Sequence, residues 1–377
     1  MKTWAVILAV VLPVFGAGPA RAALTATLSA SEQNSAAGQT VVFSGTLVNT
    51  SATDQLFLNN IQFSLSGTAA GAVVSGSNGF YSNVPGILPP GATYTGELFT
   101  IGLSGSAPPV DYDGAVTLQG GADIFATGSL ASAAFTVFSP AITILVTGSA
   151  AEDGPVPGAF TITRTGGADL ALPISFTIGG TAVNGSDYQS IASSATIASG
   201  SASAIVTITP IPNDIAEANP TVVLSLGSSA TYNLGAATSG TLAIQVKPVN
   251  AWRFQNFGAL ANTPQAADTA QWNNSNVPNL MAFALNINPA NPGSALLPSA
   301  SLQSNYPSLT YVPNPAATDL TYSVQASTDL INWSAANIQS AGNPASAPPG
   351  SVTFRYTNPL SAGGSVFLRL SVTRTDE

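Results

Sequence analysis

The chain of 377 residues contains no cysteine and no histidine, and only 7% of it is charged. Each absence removes chemistry. Without histidine there is no imidazole general base and no Ser-His-Asp triad, and the common zinc, copper and non-haem iron sites lose their main ligand. Without cysteine there is no thiol nucleophile, disulfide, iron–sulfur cluster or redox switch. Basic residues are equally scarce, 8 Lys and Arg against 17 Asp and Glu, with a pI near 4.2. Nucleic acid is thereby excluded as a partner, because phosphate binding needs clustered Lys and Arg. Carboxylate chemistry, calcium, and binding by shape and apolar surface remain.

The N-terminus points to export. Lys2 precedes the apolar run Trp4 to Phe15, and Ala20-Arg21-Ala22 fits a small-residue cleavage signal. Residues 1–22 read as a secretory signal peptide, which places the mature chain outside the cell or on its surface. A mean hydropathy of +0.31 reflects missing charge. No segment of the mature chain approaches ~18 consecutive apolar residues, so no membrane span is expected there.

What is present has a period of two. Thr40 to Leu47, Ala159 to Thr163, Ile174 to Ile178 and Ala204 to Ile211 are short β-branched runs bounded by Gly, Pro, Asn or Ser. The 35 Gly and 27 Pro fall mainly between such runs, as turn punctuation. This spacing predicts an all-β chain of tandem β-sandwiches. Breaks near Ser139-Pro140 and Lys247 to Asn250 divide it into modules 24–139, 140–247 and 251–374. Asn279 to Leu285, with Leu280, Phe283 and Ala284 at helical spacing, predicts one short helix in the last module.

In the first module, GQTVVFSGTLVNT (38–50) resembles secreted Ig-like domains, and Leu88-Pro89-Pro90-Gly91 is turn chemistry. Asp111-Tyr112-Asp113-Gly114 puts two carboxylates within reach of each other, but the pattern is expected to be a turn before the strand that follows. In the second module the motifs are ordered along about a hundred residues. Ala151-Glu152-Asp153-Gly154 comes first, then Phe160-Thr161-Ile162-Thr163-Arg164-Thr165-Gly166-Gly167. Gly180-Thr181-Ala182 with Gly185-Ser186-Asp187-Tyr188 follows, and Asn213-Asp214 with Glu217 closes the set. This module resembles a Calx-β domain, and the resemblance implies a sandwich whose loops bind calcium in some members. Carried onto this sequence, the metal ligands would be Glu152, Asp187, Asp214 and Glu217. The last loop is shortened relative to the family, Pro220 stands where a second Glu is expected, and Lys247 follows the closing strand. Each change removes an oxygen or adds opposing charge, so at most weak Ca²⁺ binding is expected.

The third module, with Trp252-Arg253, Asn279 to Leu285, Leu320 to Leu330 with Trp333, and Phe367 to Arg374, resembles the carboxy-terminal segment of large exported proteins of Verrucomicrobia. The aspartates of that pattern are replaced here by the neutral stretch Gln271 to Pro278. Trp252, Trp272, Trp333, Tyr306, Tyr311 and Tyr322 suggest a stacking platform for sugar rings, with Trp272 as its best exposed member, although scattered aromatics in β modules usually serve as core. Together these readings predict a non-catalytic secreted or cell-surface modular protein in adhesion, envelope or matrix contacts, with other surface proteins or glycans as partners. A carbohydrate-binding protein is the alternative. A carboxylate hydrolase would need an acid pair converging on one cleft.

Overall fold

The computed structural model describes residues 24–66, 71–258, 264–272, 275–291, 296–361 and 364–375. The signal peptide read at 1–22 lies outside these residues. The described chain is mostly strand, arranged in three successive groups of sheets.

The first group contains β1 (Leu24–Leu28), β2 (Glu32–Asn34), β3 (Thr40–Asn49), β4 (Leu56–Ser66), β5 (Val73–Gly76), α1 (Asn78–Asn83), β6 (Ile87–Leu88), β7 (Thr93–Leu103), β8 (Asp111–Gly121) and β9 (Gly128–Phe138). Sheets β1-β3-β7-β5 and β2-β9-β8-β4-β6 pack face to face. Alternation makes the core: Phe43 and Leu47 point inward from β3, and Phe43 stacks on Phe99 at 4.8 Å between ring centroids. A bulge in β7 lets Leu98 and Phe99 both face the core. The sequence predicts a turn at Asp111 to Gly114; the structure has strand β8 there. Tyr112 is buried and its hydroxyl donates to Pro108 O at 2.7 Å, while Asp111 and Asp113 take the outward positions. Period-two alternation around one buried ring outweighs the turn propensity of Asp and Gly.

The second group contains β10 (Ala141–Val146), β11 (Ala150–Ala151), β12 (Gly158–Thr165), β13 (Leu172–Gly180), β14 (Ser194–Ile197), β15 (Ser203–Ile208), β16 (Thr221–Leu226), β17 (Asn233–Leu234) and β18 (Ser239–Gln245). They form sheets β15-β12-β10-β17 and β11-β18-β16-β13-β14 over one core that includes Phe160, Ile174, Tyr188, Leu224 and Ile244. Gly180 (φ 103°) and Gly185 (φ 86°) turn the corner that carries Asp187 and Tyr188, in backbone conformations that favour glycine. The Tyr188 ring is fully buried, and its hydroxyl has no hydrogen-bond partner among the described residues.

Two helices follow: α2 (Pro248–Phe257) and α3 (Asn279–Ala284), the latter where the sequence predicts one. Beyond them lie β19 (Ser299–Gln303), β20 (Tyr306–Tyr311), β21 (Leu320–Ser327), β22 (Ile338–Ala341), β23 (Val352–Tyr356) and β24 (Phe367–Arg374). These make sheet β19-β20-β23-β22 and the ribbon β21-β24, with α3 contributing Ala282 to the core beside Leu309 and Val324.

The groups meet through short, hydrogen-bonded joints. Only Ser139 and Pro140 separate β9 from β10. There Gly167 N donates to Asp111 Oδ1 at 2.7 Å and Ala36 N to Ala230 O at 2.8 Å. Asn233 accepts from Ala37 N at 2.8 Å and donates to Ser139 Oγ at 2.9 Å. At the second joint, only Val246 and Lys247 separate the last strand of the second group from α2.

Candidate functional site

The loops at one end of the second group face α2, β24 and the turn before β21, and the four residues singled out as calcium ligands lie at this end. Glu152 follows the two-residue strand β11, and its amide bonds Gln245 O at 2.8 Å. That places its carboxylate inside the joint, 1% exposed, where Oε1 accepts from Asn213 Nδ2 at 3.0 Å and Oε2 from Lys247 N at 3.3 Å. Burial above all pushes its carboxyl up to about 7. Neighbouring Glu217 and Asp187 add to the rise, and the Lys247 amide and ammonium oppose it. Glu217 has one carboxylate oxygen buried without a partner among the described residues, and burial followed by the charge of Asp187 raises its carboxyl as well. Asp187 Oδ2 is bound by Val183 N at 2.7 Å, closing its own loop.

Asp214 turns the other way. Its carboxylate lies 2.6 Å from Arg374 Nη1 and 3.8 Å from Lys247 Nζ. Arg374, at the end of β24, reaches on through Nε to Asp268 Oδ2 at 3.0 Å, and Asp268 also pairs with Arg253 of α2. Arg253 is fully buried, and its Nη1 donates to Asn250 Oδ1 at 3.3 Å. Burial lowers the Arg253 guanidinium, and Asp268 works against that shift. Polar contacts surround this relay. Thr318 Oγ1 donates to Asp153 Oδ2 at 2.7 Å, Val249 N to Asp319 Oδ2 at 3.0 Å, and Asn250 Nδ2 to Asn213 O at 3.1 Å. Asp319 is buried, which raises its carboxyl, and its other oxygen has no partner among the described residues.

The structure thus brings Glu152, Asp187 and Glu217 into electrostatic range of one another and gives Asp214 to the cations of the joint. Calcium asks for about six to eight converging oxygens. Among the described residues no group of three or more acidic side chains could hold a metal ion. The oxygens of Glu152, Asp187 and Asp214 face N–H donors, a guanidinium and an ammonium. This donor set does not fit the metal.

Arg253, Asp268, Asp319 and Arg374 escaped the sequence reading. The signal that could have found them is the scarcity of charge itself. Beyond residue 22 the chain has six basic residues, Arg164, Lys247, Arg253, Arg355, Arg369 and Arg374, and three of them meet at this joint.

The aromatic side chains do not form an open platform. Trp272, expected to be exposed, is half-buried against Phe257 at 5.1 Å with its indole N–H buried. Trp252 packs on Phe257 and Phe283, Tyr311 stacks with Tyr322 and Phe354, and Tyr306 and Trp333 lie under Arg355 and Arg369. A depression of about 170 Å³ lies beside Trp333, lined by Ser327, Thr328, Asn332, Ser334, Asn337 and Tyr356.

No family model matches the chain, and no curated protein sequence does. Solved structures with a similar strand arrangement include the apo form of the Calx CBD1 domain, at 17% identity over 28% of this chain and 96% of that one, with a TM-score of 0.25. CBD12 from CALX1.2 is similar at 9% identity over 58% of this chain and 98% of that one, TM-score 0.23. A chaperone-tip adhesin complex of CFA/I fimbriae biogenesis is similar at 10% identity, 58% and 98% coverage, and a TM-score of 0.20. These are distant likenesses of sheet architecture. No described helix is long and apolar enough to cross a membrane.

Proposed function

We propose that the chain is a non-catalytic, exported, modular spacer that acts in adhesion, envelope or matrix contacts, secreted or held at the cell surface. The observation that carries this reading is the construction of the two joints. At each, side chains of one module bond the backbone or side chains of the next, as a stiff arm holding a contact surface away from its base requires. Contact surfaces are available at braced loop tips. Asp123 Oδ1 accepts from Phe125 N at 2.9 Å and Asn59 clasps the same turn, leaving Ile124 and Phe125 exposed. Asp329 likewise holds the turn that exposes Leu330 and Ile331. Calcium has at most a weak part in this reading. Its test is fractionation of cells producing the tagged full chain, followed by attachment assays with the purified mature chain. Export together with binding to cells or matrix supports it; retention in the cytoplasm contradicts it.

Carbohydrate binding is a second reading, favoured by the depression beside Tyr356. Thr328, Asn337 and Tyr356 make no side-chain hydrogen bond among the described residues, so a small neutral cup with unspent donors and acceptors is offered to a sugar unit. Saturation-transfer NMR with a panel of neutral hexoses tests it: signals lost in Tyr356→Ala support it, and silence across the panel contradicts it.

A further inference from the structure

We propose that Arg374 of the third module, assisted by Lys247 at the end of the second, is the built-in counter-ion of the second module's acidic loop end, and fills by covalent attachment the place a free cation would otherwise take. The distribution of charge argues first. A chain with six basic residues beyond residue 22 places three of them at one joint, all largely buried: Arg253 at 0%, Arg374 at 7% and Lys247 at 8% exposure. Buried cations persist only where acids and carbonyls repay their lost hydration. Here the acids come from both sides: Asp214 from the second module, Asp268 from the third, with Arg374 between them at 2.6 and 3.0 Å.

The fit is made with directional bonds as well as charge. The Arg374 guanidinium uses Nη1 on Asp214 and Nε with Nη2 on Asp268, the fork geometry that a spherical ion cannot imitate. Around it, Thr318–Asp153 and Asn250–Asn213 cross the contact without charge on the donor side, while on the third module's own side Val249 N and Thr375 N, the latter at 3.0 Å, both donate to Asp319. An attached cation also acts at a high effective concentration, whereas a dissolved one must be drawn from solvent. For calcium to bind at Asp214 Oδ1, it would have to displace Arg374 and leave a stripped guanidinium in a buried joint. The end of the second module is therefore indifferent to calcium while the third module is docked. Its partner class is settled: an arginine-bearing strand of the same chain.

Hydrogen exchange and melting of the full mature chain test this. The wild type is expected to melt at the same temperature in EDTA and in millimolar CaCl₂. In the double variant Lys247→Gln/Arg374→Gln, the amides of Val249 and Thr375 are expected to exchange about tenfold faster or more, as removal of one partner of a buried charge pair implies. Amides of β8 in the first module should be unchanged. Should that variant fail to fold, Asp214→Asn, altered at a side chain 59% exposed, is expected to speed the same two amides severalfold. Wild-type exchange at the joint in these variants would overturn the proposal, and so would a calcium-dependent rise in the wild-type melting temperature.

Discussion

Single residues carry unusual weight in a chain this poor in charge. Arg164 illustrates it. The guanidinium is buried at the end of β12 and donates to four backbone carbonyls: Ser201 at 2.9 Å, Leu170 and Ala168 at 2.6 Å, and Ala198 at 3.1 Å. It thereby ties two loops to the sandwich core. Arg164→Met is expected to cost about 3 kcal/mol, because the carbonyls stay buried and lose charged donors; the shift of the denaturant midpoint measures this. Glu152 gives a pH signature. Its carboxyl stands near 7 in the folded chain against about 4.5 when unfolded, so its contribution to stability is complete below the lower value and is lost as pH rises through the higher. Glu217 and Asp319, also raised, act in the same sense. Stability is expected to fall between roughly pH 4.5 and 7. Glu152→Gln, which mimics the protonated form, should flatten part of that fall in unfolding curves taken at pH 5 and pH 8. A slope unchanged from wild type would contradict the assignment.

Among elements, most strands were legible because β-branched alternation between Gly, Pro and Asn turns is a local signal. The β3 run and the Gly180 to Tyr188 corner stand where the sequence predicts them. Helix α2 was not legible in the same way. The break at Lys247 to Asn250 marks a module boundary, and the structure starts a ten-residue helix there. Local signals for it exist: Pro248 sits in its first turn and Gly258, at φ 60°, forms its left-handed cap. Its apolar residues, Val249, Trp252, Phe254 and Phe257, do not give the regular stripe that marks Asn279 to Leu285 as helical. Among the described residues nothing lies within 4 Å of the position a Gly258 side chain would take, so its substitution tests backbone strain. Gly258→Ala is expected to cost about 1 kcal/mol, and Gly258→Asn less, since Asn tolerates this conformation. Equal melting temperatures for all three chains would contradict the cap. The candidate site was half legible for a related reason. Sequence motifs located its acids, while its cations come from α2 and β24, more than a hundred residues from Glu152 in the case of Arg253 and Arg374. No local pattern records such a pairing.

At the scale of the whole molecule, two joints of opposite character govern behaviour. The first is neutral on one side and uses backbone amides against Asp111 and Asn233. The second concentrates half of the basic residues beyond residue 22 against acids from two modules. Burial shields the Arg253 and Arg374 guanidinium groups and the forked contact to Asp268 from salt, and the cation side of the more exposed Asp214 pair shares that burial. The second and third modules should therefore keep one arrangement across ionic conditions, which suits the proposed role as a spacer. Small-angle X-ray scattering of the mature chain in EDTA, in millimolar CaCl₂ and in half-molar NaCl tests this most directly. The account predicts one radius of gyration and one maximum dimension under all three conditions. A chain that lengthens or stiffens on adding calcium would contradict it.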